Sequence, residues 1–164
     1  QQPTEIALRL HHPRWSRTAT VLINGQQAAQ SDDPGSYVEL LRTWKNGDRV
    51  ELRLVMEVAA ESAPAAPSIV AFTYGPLLLA GALGKAGLAP GSDIVVNERK
   101  YGDYNNAPFT PPTLAGEPQE LANALRRQDR PLEFTIVSKD GSPVRLIPYH
   151  RIAHERYATY WPIT

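Results

Sequence analysis

An all-β fold, an antiparallel β-sandwich with one long loop-rich insertion and one short helix, is predicted by three features of the 164-residue sequence. Apolar side chains alternate with polar ones over many short runs, Asn-Gly and Asp-Gly pairs fall between those runs, and a helical period occurs in one stretch only. Taken in order, Ile6, Leu8 and Leu10 alternate with Ala7 and Arg9 as in a half-buried strand. Val21 and Ile23 follow, closed by Asn24-Gly25, and then Val38 and Leu40. Val50, Leu52, Leu54 and Met56 alternate with Glu51, Arg53, Val55 and Glu57. Asn24-Gly25 and Asn46-Gly47-Asp48 read as hairpin turns, because Asn and Gly tolerate the positive φ that tight loops demand.

Ala59 to Pro67 has no core period and is expected to be an exposed connection. Ile69–Phe72 and Leu77–Ala80 are nearly continuous apolar runs, as in strands covered on both faces. From Gly84 to Pro112 the pattern decays into Gly, Pro, Asn and Asp, too long for an ordinary connection. Pro118 to Arg127 is the expected helix: Pro118 suits the first turn, Leu121, Ala122 and Leu125 share a face, and Arg126 and Arg127 suit the negative carboxyl end. Leu132, Phe134 and Ile136 resume alternation. Asp140-Gly141 turns the chain, and Val144 and Leu146 return, with Tyr149 at the far end. Arg156 to Trp161 reads as a final strand in which Tyr157 and Thr159 alternate with Arg156, Ala158 and Tyr160. The expected organisation is one β-sandwich domain over 1–164, with core strands within 4–83 and 131–163 and an insertion at 84–130.

Composition excludes several function classes. Seventeen basic and 17 acidic residues cancel, so no bulk field attracts nucleic acid or an anionic membrane, and neither is an expected partner. With no cysteine the chain can hold neither a disulfide nor a thiolate metal site. The most apolar stretch, Ile69 to Leu83, is short of the ~20 residues of a spanning helix and is interrupted by Gly75, Pro76 and Gly81.

The motifs that could carry chemistry fail on spacing. Gly84-Lys85 lacks the Gly five positions earlier and the following hydroxyl of a phosphate loop, since Leu79 and Ala86 stand there. His150 and His154 would lie roughly 13 Å apart on an extended chain, too far to share an ion, and adjacent His11 and His12 point to opposite sides. They are expected to be hydrogen-bonding loop or strand-end residues. Asp32, Asp33, Asp103 and Glu155 are the acids in plausible loops or beside aromatics. Nothing in their spacing brings two to the ~5–10 Å that glycoside hydrolysis uses, and a local Glu155–Arg ion pair is expected instead. No serine sits in a nucleophile-elbow context. Sugars stack on exposed aromatic rings, which makes Trp15, Tyr101 and Tyr104 the candidate sugar contacts, with Tyr101 and Tyr104 the more exposed pair. Trp44, Arg156, Tyr157, Tyr160 and Trp161 are candidate interface residues or strand anchors.

Four segments, in order, resemble the carboxyl-terminal region of glycoside hydrolase family 127, the β-L-arabinofuranosidase type. Leu8-Arg9-Leu10 through Trp15 and Val21-Leu22-Ile23-Asn24-Gly25 resemble its "LRIPxW…VxVNG" opening. Gly35-Ser36-Tyr37 through Arg42, Trp44, Lys45, Gly47 and Asp48 resemble "GYxxIxRxWKxGD". Tyr74-Gly75-Pro76-Leu77 resembles "xxGPLVxA", and Ile147 through Trp161 resembles "LxPxYxIHxxRYxxYW". The resemblance implies an accessory β-sandwich that packs on an amino-terminal (α/α)6 barrel. In that family the barrel carries the acid/base residues, a nucleophilic cysteine and a zinc site, so no catalytic, cofactor or metal position is carried over to this chain. The expected role is non-catalytic support of such a barrel upstream in the same polypeptide, this chain being a fragment of the enzyme. The alternative is a carbohydrate-binding module acting through exposed aromatics. A homodimer through the sandwich and a carbohydrate are further candidate partners, and a periplasmic or secreted location is favoured slightly over a cytoplasmic one.

Overall fold

The structure, a computed structural model, describes residues 3–86, 110–153 and 155–164. It is all-β and antiparallel, with 51% of residues in strands and 7% in helix. Where the sequence suggests one accessory domain over 1–164, the chain divides into two compact units, 1–57 and 58–164.

Unit 1 contains β1 (Thr4–His11), β2 (Ala19–Ile23), β3 (Gln26–Ser31), β4 (Tyr37–Trp44) and β5 (Val50–Leu54). β1 pairs with β4 along its whole length, and β2 is the middle strand of a second sheet ordered β3-β2-β5. The period-2 alternation decides which side chains turn inward. Leu8 and Leu10 lie opposite Leu40 and Val38, and Val21 and Ile23 lie opposite Leu52 and Val50. These residues pack with Ala29 and Trp44 into one cluster centred on buried Val21, Val38 and Leu40. β3 carries almost no apolar signal. It forms because Asn24 (φ 53°) and Gly25 (φ 82°) reverse the chain, after which backbone pairing with β2 holds polar Gln26, Gln27 and Gln30 at the surface. The expected strand through Met56 stops at Leu54, since the Val55 amide turns to the Ser16 hydroxyl at 3.0 Å.

Buried His12 ties the end of this unit together. Its Nε2 lies 2.7 Å from the Ser16 carbonyl, which only accepts, so that nitrogen carries the hydrogen; Nδ1 lies 3.0 Å from the Ser31 hydroxyl. Its backbone donates to Ser36 and accepts from Gly35, so the ends of β1 and β3 and the approach to β4 meet at one residue.

Unit 2 contains β6 (Val58–Ala63), β7 (Ala66–Tyr74), β8 (Leu77–Ala82), helix α1 (Pro118–Ala124), β9 (Arg126–Arg127), β10 (Phe134–Val137), β11 (Pro143–Pro148), β12 (Tyr157–Ala158) and β13 (Trp161–Pro162). They form one sheet, ordered β13-β7-β8-β11-β10-β9, with β6 added to β7 and β12 to β8. Val70, Phe72, Leu79, Leu114, Phe134, Leu146 and Trp161 are central to its core, and α1 packs against β6 through a buried face that includes Leu121.

Four expectations are corrected here. Residues 59–63 belong to β6, paired to β7 from Val58↔Tyr74 to Ala63↔Ala66: alanine is a poor strand former by itself, but the backbone ladder and the helix over it fix the segment. The helix ends at Ala124, and Arg126 and Arg127 are extended opposite Thr135 and Phe134, where the Arg127 guanidinium stacks over Tyr74 instead of a helix terminus. Tyr149 leaves the return strand for a 3-10 turn, Tyr149–Arg151. The closing strand is broken at Thr159–Tyr160, so that Ala158 and Trp161 face inward while Tyr157 points out. Of the expected insertion, residues 87–109 lie outside the described residues. Leu114, just beyond them, is fully buried and exchanges backbone hydrogen bonds with Pro162 and Thr164.

Gly81 explains how β8 accepts Trp161. A Cβ there would stand 2.3 Å from Cη2 and 2.6 Å from Cζ2 of the indole, closer than atoms can approach. Gly81→Ala is therefore expected to cost about 1–3 kcal/mol or more through overpacking. A urea midpoint unchanged within error would refute the close packing.

Candidate functional site

In unit 1 the two turn motifs form one cluster. The Asp48 carboxylate accepts from Asn24 Nδ2 at 2.8 Å and from the Lys45 amide at 2.9 Å, while Asn24 Oδ1 accepts the Arg49 amide at 2.9 Å. Arg42 lies 3.6 Å from Asp48 and over the Trp44 ring at 4.9 Å, and the Trp44 indole donates to the Ile6 carbonyl at 3.1 Å. Trp44 is thus half-buried against its own unit's core and fixed at the edge of the β1–β4 sheet. The Asn24 hydrogen bond first, then the Lys45 amide and the charge of Arg42, hold the Asp48 carboxyl below the usual carboxylate range. Trp15 is half-buried in the turn after β1.

In unit 2, Trp161 is fully buried, and its indole Nε1 has no hydrogen-bond partner among the described residues. Arg156 anchors the chain beside it: its amide donates to Gly84 at 2.7 Å, its carbonyl accepts from Leu83 at 2.9 Å, and its Nε donates to the Ala86 carbonyl at 2.7 Å. Tyr157 is 46% exposed and stacks at a tilt on Tyr149, itself 45% exposed, with centroids 5.3 Å apart; Tyr160 is 61% exposed. The candidate set therefore divides into a buried anchor, Trp161, a backbone clip, Arg156, and outward rings, Tyr157 and Tyr160. Tyr149 joins the outward rings. Three positions beyond Leu146, it falls out of the period-2 phase that Val144 and Leu146 share, and Pro148 precedes it; both signal that placement.

Tyr101 and Tyr104, with Asp103 and His154, lie outside the described residues. His150 is exposed. Glu155 forms the expected local ion pair, with Arg145 at 3.8 Å, and Asp32 is bound by the Thr18 hydroxyl at 2.8 Å. Among the described residues no three His, Asp or Glu side chains converge as metal ligands, and no helix is long and apolar enough to cross a membrane. The role of Gly81 is missed at the level of sequence; the one local signal for it is an isolated glycine inside an apolar run, which can accompany a close backbone approach without naming the partner.

Unit 1 is thus a small pair of packed sheets, and unit 2 a curled antiparallel sheet closed by Trp161. Residues 1–56 match the family model described as the β-L-arabinofuranosidase GH127 middle domain. Residues 59–163 match the family DUF4986, described as a domain of unknown function, and the chain belongs to that family. With the middle-domain match beside it, the chain is a GH127-like region.

Among solved structures, a glycoside hydrolase aligns over 98% of this chain at TM-score 0.59 and 20% identity. A GH127 β-arabinofuranosidase aligns over 100% at 0.57 and 18%, and a GH127 β-L-arabinofuranosidase from Geobacillus stearothermophilus T6 over 100% at 0.53 and 20%. At such identities the likeness establishes the fold. The chain spans 28%, 28% and 27% of the lengths of those three. No curated protein matches the chain.

Asp48 yields a pH prediction. A carboxyl whose folded pKa is depressed contributes stability that is fully present above its unfolded value and is lost as pH falls through the folded one. Unit 1 should therefore weaken from about pH 4 downward. In Asp48→Asn this part of the acid dependence should vanish, read as a flatter plot of urea midpoint against pH.

Proposed function

We propose that this chain is a non-catalytic accessory β region of a GH127-type glycoside hydrolase, giving mechanical support to an (α/α)6 catalytic barrel elsewhere in the same polypeptide. The observation that carries the reading is the tiling of the chain: the middle-domain match ends at residue 56 and the second match begins at residue 59, across the division between the two compact units at 57 and 58. The three solved glycoside hydrolases named above are three to four times longer, which supports a bond-breaking part outside this chain. The parent's activity on β-L-arabinofuranosides belongs to the same proposal. Within unit 2, Tyr149 in its 3-10 turn, Tyr157 on β12 and Tyr160 in the break before β13 supply outward aromatic area suited to packing against a neighbouring domain.

The tilted Tyr149–Tyr157 pair also favours a second reading, a carbohydrate-binding module acting through exposed rings. Tyr157→Ala combined with Tyr160→Ala separates the two. Under the support reading the pair of substitutions costs the isolated chain about 0.5–1.5 kcal/mol through the lost Tyr149–Tyr157 stacking and lowers the melting temperature of the full-length enzyme by more than that loss accounts for. Under the module reading it abolishes glycan binding and lowers that temperature by no more than the lost stacking. The isolated chain is further expected to hydrolyse aryl β-L-arabinofuranosides no faster than buffer; turnover above that rate would overturn the non-catalytic assignment.

A further inference from the structure

Outside the surfaces described above, unit 2 carries a cleft of about 440 Å3 on the outer face of the β10–β11 hairpin. Its floor is the cross-strand pair Thr135↔Arg145, which points away from the core because Phe134 and Ile136 point into it. Its wall is the turn from β9 to β10, which presents Gln128, Asp129, Arg130 and Glu133. The geometry points to a sugar-binding subsite here, taking one residue of a neutral glycan by its vicinal hydroxyls.

Charge, size and rigidity support this ligand class. Two guanidinium groups, Arg130 and Arg145, face two carboxylates, Asp129 and Glu133, so the formal charge of the lining cancels and neither an anion nor a cation is selected. A hydroxyl both donates and accepts. Adjacent hydroxyls on a sugar ring therefore match a carboxylate acceptor beside an arginine fork, with the Gln128 amide and the Thr135 hydroxyl serving either need. The volume falls at the lower end of the range for small-ligand sites, about 300–1,000 Å3, which suits one monosaccharide better than an extended chain.

Glu133 and Arg145 are also held before any ligand arrives. Glu133 Oε1 lies 3.2 Å from Arg145 Nη1 and 3.9 Å from Arg130 Nη1, and Arg145 reaches Glu155 at 3.8 Å on its other side. Backbone hydrogen bonds from Gln128 to Glu133 at 2.9 Å and from Glu133 to Arg130 at 3.2 Å close the turn. At its bend Leu132 sits at φ 65°, a left-handed conformation that a leucine adopts only where its surroundings impose it. Pre-set donors and acceptors reduce the ordering cost of binding. With no aromatic ring in the lining, affinity should be millimolar. None of the outward tyrosines lines this cleft, and the assignment does not depend on the barrel-support reading.

The test is a titration of the isotopically labelled 164-residue chain with L-arabinose, D-galactose and D-xylose, followed by amide NMR. The expected result is saturable shifts at Gln128, Thr135 and Arg145 with at least one sugar. Arg130→Ala and Asp129→Ala should each weaken binding ~tenfold, the loss of a charge-assisted hydrogen bond. The Arg130 side chain is 79% exposed, so its removal should leave the urea midpoint unchanged. Absence of saturable shifts at these amides would overturn the assignment. So would binding undiminished in both variants, displacement of the sugar by sulfate, or shifts confined to Tyr149 and Tyr157.

Discussion

The indole of Trp161 lies against Gly81 in a space that any other side chain would occupy, and unit 2 is arranged around that contact. β8 pairs with β7 only from Leu77 to Leu79. Beyond that point β12 pairs with β8 at Gly81 and Ala82, while β13 pairs with β7 at Ile69 and Val70. A single closing strand could not serve both neighbours, which is why the chain bends at Thr159–Tyr160 and places Ala158 and Trp161 on the inner side. Leu114 then covers the end of the core by bonding to Pro162 and Thr164. Truncating so large a buried ring typically costs about 3–5 kcal/mol, more than any surface ion pair in the chain could supply.

Unit 1 reaches its order differently. Its hydrophobic cluster is small, with three buried members, so polar clips carry more of the specification. His12 gathers strand ends at one side, and Asn24 with Asp48 joins two hairpin turns at the other. Each clip satisfies backbone groups that would otherwise be left to solvent, and each fixes register, because a slip by one residue would part the side chain from its partners and turn the inward residues out. The surface pairs Arg9–Glu39 and Arg17–Glu57 are exposed and add little beside these.

Burial divides the candidate surface. Buried members of the tyrosine- and tryptophan-rich carboxyl end are structural, and their exposed neighbours are available for contact. Trp161 and Tyr160 are adjacent in sequence yet sit at opposite extremes of burial. An accessory role is compatible with this division, since a stiff core behind outward rings presents a preordered surface at low entropic cost. The Glu133–Arg145–Glu155 ion network holds polar groups rather than rings and suits a different kind of ligand.

The sequence by itself determined the fold class, most strands and their turns, because alternation and Asn-Gly chemistry act over a few neighbouring residues. Ile6–Leu10, Val21–Ile23, Val50–Leu54 and the Asp140-Gly141 hairpin all lie where those local rules put them. Tertiary structure alone decided the rest. β3 and β6 are strands because a neighbour's backbone pairs with them, although glutamine and alanine give no pattern to read. Arg126 and Arg127 left the helix for the sheet because β10 offered a ladder, and the last strand broke because two partners, distant in sequence, required different registers. The candidate residues were legible as aromatic and basic types. Which of them faced the core, the backbone or the solvent depended on contacts such as Gly81 with Trp161, separated by eighty positions, and no short-range pattern encodes a contact of that span.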